Sequence, residues 1–243
     1  MRVALGVEYD GCSFNGWQSQ ANGRTVQDTL QNALGLISGE AVSITAAGRT
    51  DAGVHALEQV IHFDTEVHRP LTAWVRGANT LLPDSVAVLW AHPVPDGFHA
   101  RFSAQGRSYR YVLINRSTRL AVHTGKAGWY HSPLDIAAMQ EAAQFLTGKH
   151  DFSAFRAAQC QAKSPVKNLY QLDIHSEGEM IVFDLSADAF LHHMVRNMAG
   201  TLLEVGRGSI LPDEFLELFT RRDRNLAGFT APAHGLVLVK VRY

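Results

Sequence analysis

Apolar and polar positions along the chain alternate between two rhythms. Arg2-Val3-Ala4-Leu5-Gly6-Val7-Glu8-Tyr9 is a short apolar run with strand character. Val26, Leu30, Ala33, Leu34 and Ile37 recur at helical spacing behind Thr25, which suits an N-cap. Asp28 places negative charge near that helix N-terminus, and Ser38-Gly39 ends the helix. Val42 to Ala47 sets β-branched residues at every second position and predicts a strand; Gln59 to Phe63 predicts another. A second helix is expected from Pro70 to near Leu82, then a strand from Ser85 to Ala91. The order β-α-β-β-α-β is that of a ferredoxin-like unit.

The second half repeats this order loosely. Arg107 to Ile114 alternates, with Tyr109 and Tyr111 on one strand face and Arg110 on the other. Ser132-Pro133-Leu134-Asp135 predicts a helix start with Ser132 as N-cap, and Ile136, Met139, Ala143 and Leu146 supply a core face. His150 to Arg156 and Cys160 to Pro165 form a polar, basic, irregular loop. Pro165 to His175 and Met180 to Ser186 read as a hairpin across Glu177-Gly178. Asp188 to Val205 is expected to be helical, with Leu191, Met194, Val195, Met198, Leu202 and Val205 as its apolar stripe. On that reading His192 and Arg196, four apart, share a face. A short helix from Pro212 to Arg221 and a closing strand within Ala231 to Tyr243 complete the chain. The echo predicts an α+β fold of two ferredoxin-like halves, 1–104 and 105–243, joined through a mixed, mostly antiparallel sheet with a basic cleft between them.

Composition narrows the class. Apolar residues make up 46% of 243, too many for disorder. No window nears eighteen uninterrupted apolar residues, so no membrane-spanning helix is expected, and the first residues do not read as a signal peptide. Cys12 and Cys160 belong to no metal-ligand spacing, and two scattered cysteines without a secretory signal fit a reducing cytoplasm. Net charge is −1, so overall charge does not announce nucleic acid. Its distribution says more. No acid lies between Asp96 and Asp135, an interval holding Arg101, Arg107, Arg110, Arg116, Arg119 and Lys126. Asp151 to Asp173 is a second such interval, with Arg156, Lys163 and Lys167. Arginine outnumbers lysine 17 to 5, and its planar fork suits phosphates and stacking on bases. A locally basic face on a neutral protein fits a polyanionic partner, though a solvated surface has the same composition.

The chemistry concentrates in Gly48-Arg49-Thr50-Asp51-Ala52-Gly53-Val54-His55, a turn between two predicted strands. Glycine there permits tight or left-handed backbone, and Thr50 and Asp51 suit turns. An ionised Asp on a rigid turn can act as nucleophile, base or electrostatic stabiliser. A lone Gly-x-x-Asp-x-Gly is more often an Asx turn without chemistry. Arg196 sits in apolar helical surroundings, and burying a charge unpaired is expensive, so Asp51 is a candidate partner; an arginine at the helix edge reaching water is the alternative that the sequence alone favours. Phe14, Trp17 and Gln18 in the loop after the first strand are suited to bases, although core burial is the commoner fate of Phe and Trp.

The string from Arg49 to His55 resembles the catalytic motif of the TruA family of tRNA pseudouridine synthases. Tyr9 to Gln20, Tyr109, the loop of His150–Arg156 and Cys160–Pro165, Arg196 and the closing block Ala231–Tyr243 also match that family, and the matching blocks run over nearly the whole chain. The family more often has Ser where Ala162 stands. The resemblance implies the pseudouridine synthase fold and isomerisation of uridine to pseudouridine at positions 38, 39 and 40 in the tRNA anticodon stem-loop, without cofactor or metal. It implies Asp51 as catalytic carboxylate, Arg196 keeping it ionised and oriented, Tyr109 stacked on the uracil and Leu236 walling the pocket. Arg49 would fill the place of the flipped nucleotide. Partners implied are tRNA and a second copy of the chain in a homodimer, in the cytoplasm. Three routes are open to Asp51: attack on the base, attack on the ribose, or abstraction of a ribose proton. Other classes make different demands. An RNA-binding module would not need Asp51 ionised beside Arg196. A glycoside hydrolase would want a second acid, for which Glu58 is the nearest candidate, and a metal nuclease would want clustered ligands.

Overall fold

The computed structural model describes residues 1–21 and 23–243. The chain separates into two compact units, Met1–Gln105 with Val237–Tyr243, and Gly106–Leu236. The fold is α+β.

In the first unit, strand β1 (Arg2–Tyr9) lies between β3 (His55–Asp64) and β4 (Val86–Val94), antiparallel to both. The short β2 (Thr45–Ala46) pairs β3, which completes the order β4-β1-β3-β2 expected of a ferredoxin-like unit. The last strand of the chain, β10 (Leu236–Arg242), runs parallel to β3, with Val237 opposite His55. Tyr243 then anchors the end by donating its hydroxyl to the Ala100 carbonyl at 2.8 Å. Helix α1 (Val26–Ser38) forms where its periodicity predicts: Thr25 accepts from the Asp28 N–H at 3.2 Å, and Gly39 closes it at φ 76°. Its stripe of Val26, Leu30, Ala33 and Leu34 is buried. The second helical segment starts at Leu71 and passes through a wider π turn, Ala73–Gly77, before α2 (Ala78–Leu81). There Trp74 is fully buried, edge-on to Phe63 at 5.1 Å.

The predicted strand from Val42 to Ala47 is shorter in the structure. Val42 and Ile44 are buried as their alternation requires, but only Thr45 and Ala46 join the sheet. The N–H of Ile44 is instead bonded to the Gln31 side chain at 3.3 Å. Alternation reports which side chains face the core; a ladder also needs a backbone partner in register.

In the second unit, β5 (Gly106–Asn115), β9 (Met180–Ala187), β8 (Val166–Glu177) and β7 (Gly148–Asp151) form an antiparallel series, and β6 (Gly128–Tyr130) runs parallel to β5. Helices α3 (Ile136–Gln144), α4 (Met194–Gly206) and α5 (Pro212–Arg221) complete the unit. The α5 side is filled by Phe152, Phe155, Phe215 and Phe219, with Phe155 stacked on both Phe215 and Phe219.

Two predicted helix starts move. The cap of α3 is Asp135, whose carboxylate accepts from the Ala138 N–H at 3.0 Å, so Ser132-Pro133 lies ahead of the helix. Helix α4 begins at Met194 and not near Asp188. The Asp188 carboxylate accepts from the N–H groups of Asn168 and Ala189, at 3.0 and 2.6 Å, which holds this stretch to β8. His193 then adopts φ 61°, a left-handed conformation that breaks helical continuity. His192 is therefore not on the helix that carries Arg196.

Two leucines of α1 test this packing. Leu30 is fully buried and Leu36 is 73% exposed. In urea unfolding, Leu30→Ala should cost about 2–5 kcal/mol, whereas Leu36→Ala should stay within about 0.5 kcal/mol of the parent.

Candidate active site

In the first unit, the Gly48–His55 turn is held by its neighbours from below. Thr50 is buried, its hydroxyl bonded to the equally buried Tyr9 hydroxyl at 2.8 Å. The Thr50 carbonyl accepts from the Trp17 N–H at 3.0 Å, and the Gly48 carbonyl from the Gln59 side chain at 2.7 Å. The turn itself closes when the Val54 N–H reaches the Asp51 carbonyl at 3.1 Å, with Gly53 at φ 81°. A Cβ on Gly11 would lie 2.1 Å from the Val54 carbonyl oxygen, so only glycine lets the 9–17 loop pack this close. Asp51 is partly exposed and Arg49 exposed at the outer side of this bracing. A carboxylate on a braced turn is preorganised, which is what a charge-stabilising group needs.

Phe14 and Trp17 are buried, so they serve the core beneath the turn. Beside it lies a group that linear spacing does not reveal. Asp10, Cys12 and His55 bring a carboxylate, a thiol and an imidazole within 4.8 Å of one another, a set with the chemistry to hold a metal ion. His55 Nδ1 stands 3.1 Å from both the Gly11 N–H donor and Asp10 Oδ1, and Asp10 Oδ1 also accepts from the Cys12 N–H at 3.0 Å. These contacts knit the turn to the first loop. His55 is too far along the chain for spacing to have paired it with Cys12.

In the second unit, Tyr109 is half-buried on β5, edge-on to Phe190 at 5.0 Å. Tyr111, on the same strand face, is fully buried. Burial pushes its phenol well above the usual range, against a small opposing pull from the Arg196 charge. Arg196 stands in the first turn of α4. Its Nε donates to the Ala231 carbonyl at 2.8 Å, and the Ala231 N–H donates back to the Arg196 carbonyl at 3.0 Å. Leu236 is buried at the start of β10. The structure thus places Arg49 and Asp51 on one turn of the first unit, and Tyr109, Arg196 and Leu236 on three segments of the second.

The basic intervals look different in space. Arg110 makes a two-pronged pair with Asp184 of β9, at 2.8 and 3.1 Å, and Arg116 pairs Glu179 at 3.1 Å. An acid-free stretch of sequence is not an acid-free surface. The 150–165 loop is ordered by its own contacts: the Arg156 guanidinium donates to the carbonyls of Cys160 and Ala162, both at 2.9 Å, and the Ala157 N–H to the His192 carbonyl at 3.1 Å.

Comparison with known proteins places these residues in a wider set. The sequence profile of a family described as tRNA pseudouridine synthase matches residues 6–103 and 142–243. Those stretches include Arg49, Asp51, Arg196 and Leu236, and Tyr109 falls between them. The tRNA pseudouridine synthase A of Dechloromonas aromatica (strain RCB) is 58% identical over 236 residues, covering 97% of this chain and 90% of its own. That of Chromobacterium violaceum is 59% identical over 244 residues, covering 100% and 93%. A chain in the crystal structure of a Cbf5-Nop10-Gar1 complex aligns over 97% of this chain and 48% of its own, with 11% identity and a TM-score of 0.41, too low to carry an argument.

The loop around Cys160 makes its own prediction. Burial raises the thiol pKa, but N–H groups of Ala162 and His192 and the Arg156 guanidinium outweigh it, leaving Cys160 below an ordinary cysteine. The pH profile of Cys160 alkylation by iodoacetamide, read by mass spectrometry, should therefore have its midpoint below that of the unfolded chain. Arg156→Gln should move the midpoint upward.

Proposed function

The chain belongs to the tRNA pseudouridine synthase family, and from that premise we propose that it isomerises uridine at positions 38, 39 and 40 of the tRNA anticodon stem-loop, with Asp51 as the catalytic carboxylate. Isomerisation of uridine in tRNA is the activity named for its 52–59% identical relatives. The observation that carries the finer reading is the Arg49-Thr50-Asp51-Ala52-Gly53-Val54-His55 turn, braced through Thr50 and offering its carboxylate at the partly exposed side.

The reaction breaks the N1–C1′ bond, turns the uracil and joins C5 to C1′. The hydrogen on C5 leaves as a proton and N1 gains one, so the change is redox-neutral. Its requirements are a charged carboxylate near C1′ and C6, a surface for the detached base, and exclusion of water. In this reading Asp51 supplies the carboxylate, and Arg196 is the cation that orients it. Tyr109, a ring packed edge-on to Phe190 and so limited in rotamer, is the stacking surface. Leu236 closes the pocket with an apolar wall. A base inside a stacked stem is out of reach, so the nucleotide is flipped out at a cost of a few kcal/mol. Arg49, exposed on the same turn as Asp51, takes the vacated place. The same reading has the enzyme acting as a homodimer on tRNA in the cytoplasm.

Unmodified tRNA carrying tritium at uracil C5 tests this directly. The parent protein should release tritium without added metal or cofactor. Asp51→Asn should reduce release by at least about 10²–10⁴-fold while still binding tRNA, and mapping of the product should place pseudouridine at 38–40. Equal release by both proteins would remove Asp51 from the chemistry.

A further inference from the structure

Arg196 is aimed by a stretch of chain that forms no regular strand. After the one-turn helix Arg224–Leu226, residues 227–231 cross α4 in close contact. A Cβ on Gly200 would stand 1.8 Å from the Phe229 carbonyl oxygen, so the crossing depends on glycine at that point of the helix. The Gly228 N–H donates to the buried Thr201 hydroxyl at 3.0 Å. The segment ends at Ala231, which is fully buried and exchanges two hydrogen bonds with Arg196, accepting from its Nε and donating to its carbonyl.

One side chain holds that segment in shape. The Arg224 guanidinium donates through one nitrogen to the carbonyls of Ala227 and Gly228, at 3.3 and 2.9 Å. Through the other it donates to Asn197 Oδ1 and to the Thr230 hydroxyl, at 3.1 and 3.2 Å. All four acceptors are neutral oxygens, and burial of Arg224 among them lowers its pKa. Four bonds from one rigid guanidinium fork to oxygens on residues 227, 228, 230 and 197 fix the shape of the segment against α4. Asn197, next to Arg196 on α4 and 1% exposed, is the hub of the same network. Its Oδ1 also accepts from the Thr230 hydroxyl at 2.6 Å, and its Nδ2 donates to the Phe155 carbonyl at 2.8 Å. The arginine's anchor and the 150–165 loop are thus tied to one buried amide.

We propose that Arg224 is a positioning residue for the isomerisation: by clamping residues 227–231 onto α4 through Asn197 and Thr230, it sets where the Ala231 carbonyl holds the Arg196 guanidinium. The inference rests on the assignment of Arg196 to the reaction. A long arginine side chain has many rotamers, and a carbonyl fixed against its Nε removes most of them. Displacement of a reacting or charge-stabilising group by about 1 Å is enough to cost about 100-fold in rate.

The test is a double-mutant cycle on full-length protein, with single-turnover tritium release from C5-labelled tRNA as readout. Arg224→Gln should lower the rate by about 10- to 100-fold with tRNA binding unchanged. Arg196→Lys should lower it independently, and adding Arg224→Gln to Arg196→Lys should cost nothing further. The same loss in both backgrounds would overturn the proposal, because Arg224 would then act without Arg196. If Arg196→Lys retains the parent rate, the assignment of Arg196 fails, and the positioning role falls with it. If Arg196→Lys is impaired and Arg224→Gln is not, only the positioning role fails. Should Arg224→Gln not fold by circular dichroism, Thr230→Val removes one clamp hydroxyl at nearly constant shape, and its loss must likewise vanish in the Arg196→Lys background.

Discussion

A hydroxyl sealed away from water must have a partner, and beneath the Asp51 turn two such hydroxyls satisfy each other. Tyr9 at the end of β1 and Thr50 in the turn are both buried, 2.8 Å apart. Leaving either alone would cost about 1–3 kcal/mol. The bond therefore ties the turn to the central strand of its sheet, and the Trp17 N–H donating to the Thr50 carbonyl and the Gln59 side-chain amide donating to the Gly48 carbonyl hold the rest of its backbone. Gly11 matters for the same reason, since a side chain there would push the 9–17 loop off Val54. These bonds fix the backbone that carries Asp51.

The second unit solves the equivalent problem with a different device. Arg196 lies in a helix whose register is set by packing, and a helix alone leaves its long side chain free to turn. Direction comes from a segment without regular structure that exchanges bonds with Arg196 at Ala231. Irregular backbone has no ladder to satisfy its polar groups, so side chains must do so. Arg224, Asn197, Thr201 and Thr230 fill that need, which explains why a cluster so polar stands against the otherwise apolar face of α4.

Electrostatics followed the same rule of partners over composition. Arg110 and Arg116 come from a run without acids, yet each meets a carboxylate from β9 or the turn before it. Arg110 stands directly opposite Asp184 in the β5–β9 ladder and Arg116 meets Glu179 just beyond it, so those two arginines are correspondingly less available to a phosphate. Arg49 is exposed on the same turn as Asp51.

Local rules made much of this legible in the sequence. The cap at Thr25, the stripe of α1, the β8–β9 hairpin and the Arg49–His55 turn each depend on residues within a few positions of one another, and they stand where those residues predict. Each misplacement has a competing partner behind it. Ser132-Pro133 yielded to the cap at Asp135, the strand around Val42 found backbone partners on β3 only from Thr45 onward, and α4 waited until Met194 because Asp188 is bound to Asn168 of β8. Asp135 stands only three residues from Ser132, so there two local caps competed, whereas the partners that decided the other two lie outside any window of ten residues. The same holds for the pairing of His55 with Asp10 and for the clamp on Ala231, and for the parallel pairing of β10 with β3. Backbone preference and side-chain periodicity act along the chain, so the sequence by itself determined the elements and the turn that bears Asp51. Which buried donor meets which acceptor depends on desolvation that exists only once distant segments pack, so the aim of each side chain was decided by the tertiary structure.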